Sequence, residues 1–183
     1  SIIILANIAG LIAAFSKVIW FQSTSVEVYS LHILLITSII YQILRILYMS
    51  KVETKQWLIV AILLGLGFSN HLTTFLILPG LAYVYFSKEG INKSAFIKIS
   101  FMLAVFIPIL ALFYSLLFLA AKSGALINWG NPVTFEAFWR HFTGHQYQVW
   151  MFSSMDAAKQ QLGYFFSILP SQYSYIGIII GIF

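Results

Sequence analysis

The chain has no cysteine, so disulfide and thiolate chemistry are excluded and the redox compartment leaves no mark on it. Charge is the second scarcity. Asp, Glu, Lys and Arg together make up 8% of the 183 residues, against about 25% in an ordinary soluble domain. A soluble fold of this size would lack the polar side chains to cover its surface. There is no phosphate-binding glycine loop, nucleophile elbow or metalloprotease helix, which removes the common soluble hydrolase and nucleotide-binding classes. Internal repeats and low-complexity tracts are absent, and so is the two-residue alternation of an outer-membrane barrel.

What fills the sequence is apolar: 61% of residues are hydrophobic and 17% aromatic. The apolar residues fall into runs, several of them near the 20 or so helical residues needed to cross a hydrocarbon core about 30 Å thick. Backbone groups in lipid must find partners within their own segment, so helices are the expected spanning elements. The expected fold class is all-α, a polytopic transmembrane helical bundle with short interfacial helices. The expected spans are about 2–21, 28–49, 57–69, 72–86, 96–121 and 173–183. The chain opens at Ser1 inside one apolar run and closes inside another (Tyr175 to Phe183), so it reads as a stretch of a longer protein.

The net charge of +5 is spread thinly between apolar runs, which signals topology and excludes a nucleic-acid partner. One loop (Ser50 to Gln56) carries Lys51 and Lys55, and a second (Ser87 to Lys98) carries Lys88, Lys93 and Lys98. Both are cytoplasmic by the positive-inside rule. The apolar run between them must then return to the side it left, and Ser69-Asn70-His71, with Gly65 and Gly67 before it and Pro79-Gly80 after it, is the predicted turn of a hairpin. The span 96–121 leads to a non-cytoplasmic segment, 122–161. There Asn131 and Pro132 predict the start of an interfacial helix over about 132–143, and a second is predicted over 154–169. This topology puts Glu27, Asn70, His71, Trp129, Asn131, Arg140, His141, His145, Gln146 and Tyr147 on one non-cytoplasmic face.

Each of these residues has two readings. Glu27, at the start of a span, can act as a carboxylate in chemistry, or close a capping box with Thr24. Asn70 and His71 lie between apolar arms, where polar groups are costly unless paired or lining a cavity; the alternative is a helix-end bond and an imidazole at the interface. Arg140 offers two parallel charge-assisted bonds to a phosphate, which a substrate or a lipid headgroup could take. His141 and His145 are four apart, but Gly144 intervenes and no acidic neighbour completes a site, so no metal site is expected. Trp129, Trp139, Tyr147 and Trp150 form either an aromatic belt or a surface for stacking sugar rings.

Three stretches carry a family resemblance: Trp20-Phe21-Gln22-Ser23 with Val26-Glu27-Val28-Tyr29-Ser30-Leu31-His32; Gly65-Leu66-Gly67-Phe68-Ser69-Asn70-His71-Leu72-Thr73; and Asn128-Trp129-Gly130-Asn131-Pro132 with Thr143-Gly144-His145-Gln146-Tyr147. In order and spacing the chain resembles bacterial relatives of a eukaryotic polytopic protein O-mannosyltransferase, a branch of the GT-C glycosyltransferases. The resemblance implies an inverting membrane glycosyltransferase. It would move a mannose-like sugar from a polyprenyl-phosphate carrier to an acceptor hydroxyl, protein Ser or Thr or a glycan, on the periplasmic side of a bacterial inner membrane. It implies a main catalytic Asp upstream of Ser1 and a second acidic residue at Glu27, so this stretch is expected to be inactive alone. Substrate contacts would come from Asn70, His71, Trp129, Arg140, His145, Gln146 and Tyr147. Membrane lipid is the surrounding partner, the lipid-linked sugar is substrate and not cofactor, and a divalent cation stays open. The competing classes are a transporter with a midplane site at Asn70-His71, and a non-catalytic membrane scaffold.

Overall fold

The computed structural model describes residues 2–25, 27–147 and 154–182, and among them every regular element is helical. Two of these helices are long and apolar enough to cross a membrane, or three if one bent pair counts as a single span. The chain divides into two compact units, 1–30 with 144–183, and Leu31–Thr143.

In the first unit, α1 (Ile2–Ala14) and α2 (Lys17–Thr24) are set at 63° to each other. The expected span 2–21 is therefore broken, at Ser16. The bend leaves the first amides of α2 without helical acceptors. One of them, Val18 N–H, donates instead to the Gln172 side-chain carbonyl at 2.9 Å. Phe15 stacks on Trp20 across the bend, ring centres 5.2 Å apart. The other helix of this unit, α8 (Met155–Ile182), runs through Pro170 and breaks at Ser174, where φ is 58°. An interfacial helix ending before Pro170 was expected. The actual break falls where the Ser174 hydroxyl can accept from Gly177 N–H at 3.2 Å, giving the segment beyond it a new N-terminal cap.

The second unit holds α3 from Leu31 onward (α3 is Tyr29–Tyr48), α4 (Thr54–Asn70), α5 (Leu78–Glu89), α6 (Lys93–Lys122) and α7 (Phe135–Phe142). Its core follows helical spacing. Ile39, Ile43 and Ile46 of α3, Trp57, Val60 and Leu64 of α4, and Leu81, Val84 and Tyr85 of α5 close on Ala95 of α6. The capping chemistry is written locally: Gln56 accepts from Glu53 N–H at the start of α4, and Asn92 accepts from Ala95 N–H at the start of α6.

Glu89 ties three helix ends together. It accepts from the indole N–H of Trp57 at 2.6 Å and pairs with Lys98, while Tyr85 donates to the Ala95 carbonyl at 2.6 Å. Lys88 donates to the Met49 carbonyl at 2.9 Å, so both lysine-bearing loops sit at one end of this unit. From that end α4 and α6 run parallel. A Cβ on Gly65 would lie 3.0 Å from Ile109, and Phe68 meets Phe106 edge to face. The returning arm, expected as a helix over 72–86, is a 3-10 turn over Leu72–Ile77 followed by α5. Thr74 explains the tighter winding, since its N–H and its hydroxyl both donate to the His71 carbonyl, at 3.2 and 2.9 Å.

Candidate functional site

The turn between α4 and α5 gathers polar groups at the end of an apolar hairpin. Asn70 closes α4, and His71 N–H donates to the Gly67 carbonyl as the helix's C-cap. The backbone at His71 is extended, which turns its ring toward the following residues instead of along the helix. Its Nδ1 accepts from Thr73 N–H at 3.3 Å and lies 2.8 Å from the Thr73 hydroxyl. That hydroxyl is also 2.9 Å from Nε2 of His32, in the first turn of α3, and the two imidazoles lie 4.7 Å apart. Three polar side chains from two segments, α3 and the turn, thus form one chain: His32, Thr73, His71. Burial lowers the pKa of His71 from the usual histidine value, which favours the neutral ring.

Close packing holds this corner in place. Thr74 is fully buried, and a Cβ built on Gly67 would meet its methyl group at 2.9 Å. The absence of a side chain at Gly67 is what lets the 3-10 turn lie on α4.

Further along α6, Tyr114 receives the apolar side of α7, with ring centres 5.8 Å from Phe138, 6.3 Å from His141 and 5.1 Å from Phe142. Burial lowers the His141 pKa as well. Arg140 is exposed on α7, beside Trp139, which is 52% exposed and stacks on Phe135.

The start of α7 differs from the expectation. Asn131 does not cap it: with φ of 41° and its side-chain oxygen taking a bond from Asn128 at 2.8 Å, it belongs to a turn with Gly130. Thr134 is the cap, accepting from Ala137 N–H at 3.2 Å. Asparagine tolerates the left-handed region, and that preference wins over its capping preference here.

The remaining candidates are spread out. Glu27 is exposed, between α2 and α3 in the first unit. The capping box expected for it with Thr24 does not form: Thr24 is the last residue of α2, and Glu27 N–H donates to the Ser25 carbonyl at 2.9 Å. Trp129 is exposed in the loop before α7. His145, Gln146 and Tyr147 form a short 3-10 turn in the first unit, all three exposed. Trp150 falls outside the described residues. His141 and His145 belong to different units, and among the described residues no group of three His, Cys, Asp or Glu is placed to hold a metal ion.

Sequence reasoning missed His32 and Thr73. The signal for His32 was present: an imidazole in the first turn of an apolar span is costly without a partner. Its partner is 41 positions away, and no local pattern connects the two. An apolar cavity of about 340 Å³ was equally invisible. It lies between α4, α5 and α6 and is lined by residues such as Leu64, Phe68, Leu81, Phe86, Met102 and Phe106.

Residues 1–94 match the family model described as Protein O-mannosyl-transferase TMEM260 N-terminal domain. The match contains Glu27, His32, Asn70, His71 and Thr73; Trp129, Arg140 and residues 145–147 lie beyond it. No curated protein and no solved structure matches the chain.

Proposed function

The chain belongs to the family of the protein O-mannosyl-transferase TMEM260 N-terminal domain, and on that premise we propose that it is part of a membrane glycosyltransferase acting on a lipid-linked sugar. The donor is a mannose-like sugar on a polyprenyl phosphate. The acceptor is a hydroxyl of an exported protein or glycan, and the reaction takes place on the side of the membrane away from the lysine-bearing loops. The observation that carries this reading is the His71 corner, a polar cluster inside the matched residues, at the end of the hairpin opposite those loops.

In the proposed displacement the acceptor oxygen attacks the anomeric carbon while the bond from that carbon to the phosphate oxygen breaks. The electron pair leaves with the lipid phosphate, the hydroxyl proton passes to a carboxylate base, and the sugar is inverted. A departing phosphate needs donors and positive charge close to it. His71, Asn70 and Arg140 have the chemistry to supply them. Glu27 is the second carboxylate of this scheme, orienting the acceptor or a cation. Trp129, His145, Gln146 and Tyr147 contribute to the acceptor side, where aromatic faces can stack on sugar rings. The apolar cavity between α4, α5 and α6 suits part of an isoprenoid chain, since its lining offers almost no polar atoms.

The test uses the full-length protein reconstituted with polyprenyl-phosphate mannose and a Ser/Thr-rich acceptor peptide. Glu27→Gln, His71→Ala and Arg140→Met should each slow sugar transfer at least about tenfold, equivalent to about 1.4 kcal/mol of transition-state stabilisation. Unchanged transfer in all three variants, or none by the unmodified protein with any lipid-linked sugar, overturns the reading.

A further inference from the structure

We propose that His32 is a positioning residue for His71: through the hydroxyl of Thr73 it holds the His71 ring in place, in the tautomer whose Nε2 carries the hydrogen. The assignment rests on donors that cannot be reversed. A backbone N–H can only donate, and Thr73 N–H is directed at His71 Nδ1. Nδ1 is therefore an acceptor, and in a neutral imidazole the hydrogen then resides on Nε2. The Thr73 hydroxyl, 2.8 Å from the same nitrogen, adds its own hydrogen to that lone pair. Having donated there, its oxygen accepts from the other side, and His32 Nε2 at 2.9 Å is the group placed to donate. The order is His32 Nε2–H to Thr73 Oγ1–H to His71 Nδ1, each step polarising the next.

The arrangement has a cost that argues against a purely structural purpose. Nδ1 of His32 is buried and has no hydrogen-bond partner among the described residues. The proposed order makes that atom a bare acceptor, which is less costly than an orphaned N–H but still unfavourable. Leucine and valine at positions 32 and 73 would fill similar space with no unsatisfied atom. A fold needing only stability has no reason to half-bury this chain of polar groups.

For its chemical purpose the inference rests on the glycosyl-transfer reading: His71 Nε2–H is the donor from which a departing phosphate oxygen would accept a hydrogen bond. A ring free to exchange tautomers would present a lone pair to that oxygen for part of the time, and so repel it. A tautomer lock acts on the transition state more than on substrate binding, so its loss should appear in kcat and not in KM.

The experiment follows full-length protein in lipid bilayers by nitrogen-15 magnetic resonance of the histidine rings, alongside sugar-transfer kinetics. Unmodified protein should show His71 as the single Nε2–H form. Thr73→Val and His32→Leu should each give a mixed signal and lower kcat about tenfold, with KM within twofold. Thr73→Ser should restore both. The double variant His32→Leu with Thr73→Val should unfold no more easily than the unmodified protein, which separates positioning from folding. A His71 signal unchanged in Thr73→Val and His32→Leu overturns the proposal, as does wild-type kcat in both. If the unmodified protein transfers no sugar, the functional reading fails, while the ring spectra still decide whether His32 and Thr73 set the tautomer.

Discussion

Glu89→Ala is expected to destabilise the Leu31–Thr143 unit by about 3 kcal/mol, measured by denaturant unfolding in detergent micelles. The carboxylate is 10% exposed and serves two donors at once, the indole N–H of Trp57 and the ammonium of Lys98. Trp57 has no exposed surface, so its N–H would be left buried without an acceptor. Lys98, only 21% exposed, would keep its charge with no partner. The loss should spread, because the ends of α4, α5 and α6 meet at this carboxylate. Glu89→Gln retains an acceptor for Trp57 but no charge for Lys98, and should fall between alanine and the unmodified protein. Adding Lys98→Met to Glu89→Gln should recover much of the difference, since breaking a partly buried pair costs more than replacing both members. Equal stability of all these proteins would show that the three helix ends are held by apolar packing alone.

Gly67→Ala should destabilise the same unit by about 2 kcal/mol, the reverse of what helix propensity suggests. Alanine inside a helix normally gains up to about 1 kcal/mol over glycine. At position 67 the new methyl would lie 2.9 Å from the Thr74 methyl group and 3.1 Å from its hydroxyl, with Ile39 at 3.5 Å behind it. Thr74 is fully buried and bonded to the His71 carbonyl, so it has nowhere to move without lifting the 3-10 turn. Overpacking of this kind costs about 1–3 kcal/mol and outweighs the propensity gain. Gly163 is the control. It sits in α8 with nothing within 4 Å of a built Cβ, and Gly163→Ala should be neutral or stabilising. Displacing the turn should also shift the His71 ring signals, linking this packing contact to the polar corner. A Gly67→Ala protein as stable as Gly163→Ala would show that the turn accommodates the methyl.

The helical class, the apolar runs and the grouping of lysines into two loops stem from composition and spacing, because lipid leaves the backbone few alternatives and charge is costly to carry across it. The same local rules mark the region of Asn70 and His71 as a break. They fail where two local preferences compete. Asn131 could cap a helix or enter a left-handed turn, and its bond from Asn128 settles the choice. The long apolar run at the start looks continuous in sequence, yet it bends at Ser16. The sequence likewise placed a helix end before Pro170, while α8 breaks at Ser174, where the serine hydroxyl caps the last stretch of helix.

The feature that only the tertiary structure decided is the one with most bearing on chemistry. Sequence marked His71 as a polar residue out of place, and stopped there. The hairpin brings Thr73 back over the end of α4, and α3 supplies His32 from 41 positions before Thr73. Propensity and hydropathy act over a few residues, whereas the tautomer of one imidazole depends on which donors the fold carries to it. That is why the membrane character of this protein was legible from composition, and the state of its candidate site was not.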